Sequence, residues 1–150
     1  YEIGVRLVGS EMCIRDRPDN VQAALWGKLA FMAANSGVGA ITRVPSGQWR
    51  NLEGSWDMAQ CVVQEVLAVA VEKGVGMTAD AFCSAISRLE GSPPDGTSSI
   101  QRDLMEGKPS ELEVQNGGVV RLGLEVGVPT PVNTFIYHSL LPQEIRAREE

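Results

Sequence analysis

Lys28 stands inside an otherwise apolar stretch, with Ala24-Leu25-Trp26 before it and Leu29-Ala30-Phe31-Met32 after. A lysine flanked in this way either snorkels to solvent along its own stem or is held in a cleft. In a cleft it can donate a proton or set a cation beside a substrate oxyanion. Asn35 follows about two helical turns later, near the same face. Ser98-Ser99 offers hydroxyls and free backbone N–H groups at a helix start, which suits an anion; simple capping is the other reading. Glu111 begins a further helix, where the dipole favours a carboxylate, either as a cap or as a working group. Asn116-Gly117-Gly118 is odd inside a helix, because each glycine there costs about 1 kcal/mol against alanine. Close approach by another helix or by a ligand would account for it. The single histidine, His138, reads as a partly exposed surface residue. One histidine removes most imidazole metal sites and most Ser–His or Cys–His arrangements.

Several chemistries are excluded outright. The chain has no GxGxxG after a strand, no P-loop, no HExxH and no GxSxG elbow. A net charge of −6 argues against a general phosphate-backbone binder and against attachment to anionic lipid. No apolar run approaches the ~18 residues of a membrane-spanning helix. Cys13, Cys61 and Cys83 show no CxxC spacing, so reduced thiols in a cytoplasmic protein are the plain reading.

The elements that must position these residues are helices. A length of 150 residues, 43% of them hydrophobic and 21% charged, fits one globular domain. Pro18-Asp19-Asn20 starts a helix whose periodic positions are Val21, Ala24, Leu25, Lys28, Leu29 and Met32. It runs to about Ala34 or beyond; Gly39 to Arg43 continues it or forms a second short helix, and Val44-Pro45-Ser46-Gly47 breaks it. Ser55 is the expected N-cap of a helix from Trp56 to Lys73, with Met58, Cys61, Val62, Val66, Val69 and Ala70 inward. Thr78 is the expected cap of a helix from Ala79 to Leu89. Gly91 to Gly96 is a loop, followed by a short helix from Ser99 to Glu106. Ser110 and Glu113 form a capping-box pattern for a helix to about Val126, with Val114, Val119, Leu122 and Val126 inward. Gly127 stops it, and a last helix runs from Pro129-Thr130-Pro131 to Leu141, ended by Pro142. The fold expected is all-α, six or seven helices in one bundle.

Residues 1–17, YEIGVRLVGSEMCIRDR, differ in texture from the rest. GSEMCIRDR resembles the translation of a sequencing-adapter read-through, so this leader is expected to be non-native and is set aside, with Cys13, from the fold argument.

Three blocks, WGKLAFMAANSGVGAITR, TSSIQRDLMEGKPSELEVQNGGVVRLG and GVPTPVN, resemble the C-terminal helical domain of ketopantoate reductases (2-dehydropantoate 2-reductases) over about residues 20–142. That domain is of the kind found in 6-phosphogluconate dehydrogenase-like reductases. The resemblance implies an N-terminal Rossmann domain that binds NADPH, absent before residue 20 of this chain, with the 2-oxo acid bound in the cleft between the two. It places the catalytic lysine on Lys28, which would hydrogen-bond the keto oxygen and protonate the alkoxide. It places the carboxylate-binding serine on Ser99 and the active-site glutamate on Glu111. Two family asparagines fall on Met32 and Ser36, with Asn35 one place before the latter, so a 2-oxo acid other than ketopantoate is open. The chain is expected to be the substrate-binding half of such an enzyme, inactive alone, with its own Rossmann domain and a second copy of itself as possible partners. The rival expectation is a non-catalytic helical interaction module derived from that domain.

Overall fold

The computed structural model describes residues 18–150, and side-chain surroundings from residue 21 onward. The expected leader and Cys13 lie outside the described residues. Seven helices make up the described chain: α1 (Pro18–Thr42), α2 (Ser46–Arg50), α3 (Glu53–Glu72), α4 (Ala81–Glu90), α5 (Ser99–Met105), α6 (Asn116–Val126) and α7 (Pro131–Glu149). No strand occurs among the described residues. The all-α expectation therefore holds, at the upper of the two helix counts.

α1 is the axis of the bundle, packing against α2, α3, α4, α5 and α7. It passes straight through Gly37 and Gly39 because small residues are what its neighbours require there. A Cβ on Gly39 would stand 2.6 Å from Gln101 Oε1, and one on Gly37 would stand 3.0 Å from Asn116 Nδ2. The expected apolar stripe on α1 is corrected accordingly. Trp26, Ala30, Ala33, Ala34 and Val38 are buried, whereas Val21 is 42% and Leu25 55% exposed. A helix surrounded on most sides buries an alanine face that carries little periodic contrast. α1 ends at Thr42, and Arg43 follows it in the left-handed region at φ 61°.

The expected break at Pro45 is followed at once by α2, a five-residue helix. Its first N–H groups find partners across the fold: Ser46 N donates to Gly96 O at 3.0 Å and Gly47 N to Pro94 O at 2.8 Å. Ser46 Oγ donates to Pro93 O at 2.7 Å. The 91–96 loop thus does the capping that no local side chain supplies. Arg50 Nη1 in turn donates to Leu89 O and Ser92 O, closing the C-terminus of α4.

Other expected caps turn out to bond elsewhere. Ser55 Oγ donates to Trp49 O at 2.6 Å, and α3 begins at Glu53. Thr78 Oγ1 donates to Asp80 Oδ1 at 2.6 Å, and α4 begins at Ala81. Ser110 forms no capping box. Its N–H and Oγ both donate to the buried carboxylate of Glu144, residues 111–115 form a turn, and α6 starts only at Asn116. Val114, expected inward, is 69% exposed in that turn. α7 does not stop at Pro142, because Glu144 and Ala147 beyond it are buried and hold the second half in place.

Candidate functional site

Lys28 is exposed on the outer face of α1, in a groove of about 340 Å³ between α1 and α4. The groove floor and walls are apolar or small on the α1 side (Ala23, Ala24, Gly27), while Thr78, Ser84 and Arg88 bring polarity from the α4 side. One turn further along α1, the ring of Phe31 carries the Arg88 guanidinium 4.5 Å above its centroid. One more turn on, half-buried Asn35 lines a second, smaller groove of about 260 Å³ with Phe31, Ser46 and Thr97. Lys28, Phe31 and Asn35 are at i, i+3 and i+7, so they share one face of the helix.

Ser36, the next residue, is buried. It therefore does not line this outer face beside Asn35. Ser99 is the exposed first residue of α5, a helix packed on α1. The capping hydroxyl is that of Ser98, which accepts from Gln101 N at 3.1 Å, and Ser99 is left out of that cap. The 91–98 segment that leads into α5 forms one side of the Asn35 groove through Ser92, Pro93, Gly96 and Thr97. Glu111 is exposed and opens the 111–115 turn, its carbonyl accepting from Val114 N and Gln115 N. That turn is joined to α1 through the residue that follows it: Asn116 Nδ2 donates to Ala33 O at 3.3 Å. Lys28 and Asn35 thus come to one face of α1, while Ser99 and Glu111 sit on the adjoining elements and line neither of these two grooves.

Sequence reasoning missed Arg88, Phe31 and Ser46. Arg88 had a usable signal, since Ala81, Ser84, Ala85 and Arg88 follow helical spacing on one face of α4. Ser46 had none, because its role depends on the fold of a loop about fifty residues later. Of the glycine pair after Asn116, Gly117 is a packing feature, since a Cβ there would stand 2.8 Å from the Tyr137 ring, whereas one on Gly118 would meet nothing nearer than Glu113 O at 4.0 Å. His138 is exposed, as expected. Among the described residues no cluster of three or more His, Cys, Asp or Glu side chains is placed to hold a metal ion. No helix among them is long and apolar enough to cross a membrane.

The arrangement is that of a domain presenting a lysine and an asparagine on an open helical face. A family model described as the C-terminal part of ketopantoate reductase PanE/ApbA matches residues 20–144. The chain belongs to this family. A 2-dehydropantoate 2-reductase from Pyrobaculum aerophilum is 30% identical over 126 residues, which cover 84% of this chain and 45% of that protein. One from Caulobacter vibrioides is 30% identical over 111 residues, covering 74% and 38%. The solved PanE/ApbA family ketopantoate reductase of Ralstonia eutropha superposes with a TM-score of 0.75 at 34% identity, over 84% of this chain and 42% of that one. A dimeric ketopantoate reductase from Staphylococcus aureus and a D-mandelate dehydrogenase solved with NADH share the fold, with TM-scores of 0.78 and 0.76. The chain spans under half the length of the curated relatives it matches. The ketopantoate reductase C-terminal domain is thus the unit that the seven helices build.

Proposed function

We propose that this domain is the substrate-binding and proton-donating half of an NADPH-dependent 2-oxo acid reductase, with ketopantoate as the first substrate to test. The observation that carries the reading is the shared outer face of α1, where Lys28 and Asn35 stand beside open grooves. The described residues include no strand–glycine-rich turn–helix unit to cradle a pyrophosphate, so NADPH is assigned to the N-terminal half of such enzymes. When bound there, the nicotinamide supplies the hydride to the keto carbon.

The work left to this chain is at the oxygen. The ammonium of Lys28 donates a hydrogen bond to the keto oxygen, and the alkoxide that develops takes a proton from Nζ, giving the 2-hydroxy acid. A cation at that point stabilises negative charge that exists only in the transition state, so its effect falls on kcat. Glu111, exposed on the turn that adjoins α1, is the acid assigned to orient the lysine and the substrate in the assembled cleft. Ser99 gives a hydroxyl to the substrate carboxylate, and Asn35 holds the polar end of the substrate from the next groove. Buried Ser36 acts behind that face, and Met32 supplies no amide, which favours a substrate with less polar decoration than ketopantoate. NADPH and a small 2-oxo acid fit a cytoplasmic setting.

Val21 and Leu25, exposed near the start of α1, fit an apolar surface for the N-terminal half and carry the interaction-module reading equally. The test is catalysis. The chain is joined behind the N-terminal half of the Pyrobaculum aerophilum relative and assayed for NADPH oxidation with ketopantoate and a panel of simpler 2-oxo acids. Turnover with any of them supports the reading. A folded fusion that binds NADPH and reduces none of them favours the non-catalytic module.

A further inference from the structure

Glu111 is exposed, and among the described residues its carboxylate enters no ion pair. What aims it is therefore the backbone that carries it, and that backbone is held on both sides. Before it, every polar atom of Ser110 is engaged. Ser110 N donates to the two carboxylate oxygens of Glu144 at 3.0 and 3.1 Å, and Ser110 Oγ donates to Oε2 at 2.5 Å. Ser110 O accepts from Arg148 Nη2 at 2.8 Å, and Arg148 Nε donates to Glu144 Oε1 at 2.7 Å. After it, Leu112 is fully buried, and its N–H donates back to Ser110 Oγ at 3.2 Å. The turn then closes on Glu111 itself, whose carbonyl accepts from Val114 N and Gln115 N.

We infer that Glu144, braced by Arg148, is a positioning residue that sets where Glu111 points. This rests on the 2-oxo acid reading above, in which Glu111 orients the lysine and the substrate. Burying a carboxylate is costly, and apolar side chains would pin α7 to this segment more cheaply. Glu144 is nonetheless 1% exposed, 34 residues along the chain from the serine it holds. What hydrogen bonds add to apolar contact is direction. The carboxylate grips the N–H side of Ser110 and the guanidinium its C=O side, so the peptide plane leading into Glu111 can neither slide nor turn. The stretch of α7 beyond Pro142 carries both groups, which gives that stretch a task at the site as well as in the core. Misplacement of a working group by about 1 Å, caused far from the chemistry, can cost up to about 10²-fold in rate.

The test uses the fusion described above, in which the cleft is complete, with the 2-oxo acid it reduces best, at a temperature where circular dichroism shows the variants folded. Glu144→Gln keeps the size of the side chain but turns one acceptor into an NH2 group facing donors. It is expected to lower kcat about tenfold, within the range for a displaced working group. Arg148→Ala, which frees Ser110 O and leaves Glu144 on Ser110, is expected to lower it about threefold, and Arg148→Lys to recover part of the loss. The deciding measurement is the double-mutant cycle with Glu111→Gln. A residue that acts through Glu111 has nothing left to position once that carboxylate is gone, so Glu144→Gln should lower the kcat of Glu111→Gln by less than about twofold. A merely structural role would lower kcat by the same factor in both backgrounds. That result, or an unchanged kcat in folded Glu144→Gln and Arg148→Ala, overturns the inference and leaves the 2-oxo acid reading standing. Should Glu144→Gln not fold, Arg148→Ala decides by the same cycle. If Glu111→Gln alone leaves kcat unchanged, Glu111 is not the orienting acid and the inference falls with that assignment. A folded fusion that reduces no 2-oxo acid fails the reading itself, and the inference with it.

Discussion

Glu65 and Asn133 join the middle of α3 to the first turn of α7. The backbone N of Asn133 donates to Glu65 Oε2 at 2.9 Å and its Nδ2 donates to the same oxygen at 2.7 Å. Val132 N donates to Oε1 at 2.8 Å. A carboxylate from another helix thereby satisfies N–H groups that no local cap of α7 reaches, and it sits at the positive end of the dipole. Asn133 Oδ1 then accepts from Asn116 Nδ2 at 3.0 Å, and the same amide donates to Ala33 O in α1. Four helices are tied by this one series of contacts. Glu65→Ala should cost about 2–3 kcal/mol, in line with charged hydrogen bonds lost at a partly buried site. Thermal unfolding should fall by roughly 5–10 °C for a domain of this size. A change under 1 °C would mean that the network contributes nothing measurable.

A buried acid holds the far end of α7. Glu144 is 1% exposed and accepts from Ser110 N at 3.0 and 3.1 Å, from Ser110 Oγ at 2.5 Å and from Arg148 Nε at 2.7 Å. Glu144→Ala would leave the buried Ser110 donors without partners, a loss of about 3 kcal/mol. Arg148→Ala should cost less, about 1–2 kcal/mol, because Arg148 is itself half exposed and the buried Glu144 carboxylate keeps its Ser110 donors. Urea unfolding of the two variants checks the order, and an equal effect would refute it.

Tyr137 donates its phenol to Glu113, and that bond, followed by partial burial, raises its pKa above the ordinary 10.0. A raised pKa in the folded state means a contribution fully present below pH 10 and lost as pH climbs from 10 through the folded value. The stability gap between the parent and Tyr137→Phe should therefore narrow between pH 9 and pH 11. Urea midpoints at the two pH values measure it, and a constant gap would contradict the assignment.

Gly47 packs backbone against backbone. A Cβ there would meet Pro94 O at 2.7 Å and Pro94 Cα at 3.0 Å. Gly47→Ala should push α2 off the 91–96 loop and cost about 1–3 kcal/mol. The same movement would open the Asn35 groove, so substrate binding by the completed enzyme should weaken alongside stability. Full retention of both would show the loop to be freely adjustable.

Much of this architecture was legible in the amino-acid order, and the failures share a cause. The buried stripe of α3 at Val62, Val66, Val69 and Ala70 followed from spacing, and so did its end at Lys73-Gly74, where Gly74 has φ 87°. Gly127 closes α6 at φ 76°, again as local chemistry requires. Ser55, Thr78 and Ser110 looked like caps because hydroxyls before helices usually are. Ser55 and Thr78 instead bond to near neighbours, Trp49 and Asp80, and for Ser110 the partner, Glu144, is fixed by tertiary structure. α7 continues past Pro142 for the same reason. For the candidate site, α1 periodicity alone put Lys28 and Asn35 on one face. The spacing of Ala81, Ser84, Ala85 and Arg88 marked one face of α4, but the seat of Arg88 on Phe31 depends on how α4 lies across α1.

The most direct measurement of the central claim is the kcat of Lys28→Ala in the fusion with the N-terminal half of the Pyrobaculum aerophilum relative. NADPH oxidation is followed with the 2-oxo acid that the parent fusion reduces best. The account predicts a fall in kcat of about 10²–10⁴-fold, the range for loss of a positioned general acid, with a smaller change in KM and unchanged folding. A Lys28→Ala enzyme that keeps the kcat of its parent would contradict it.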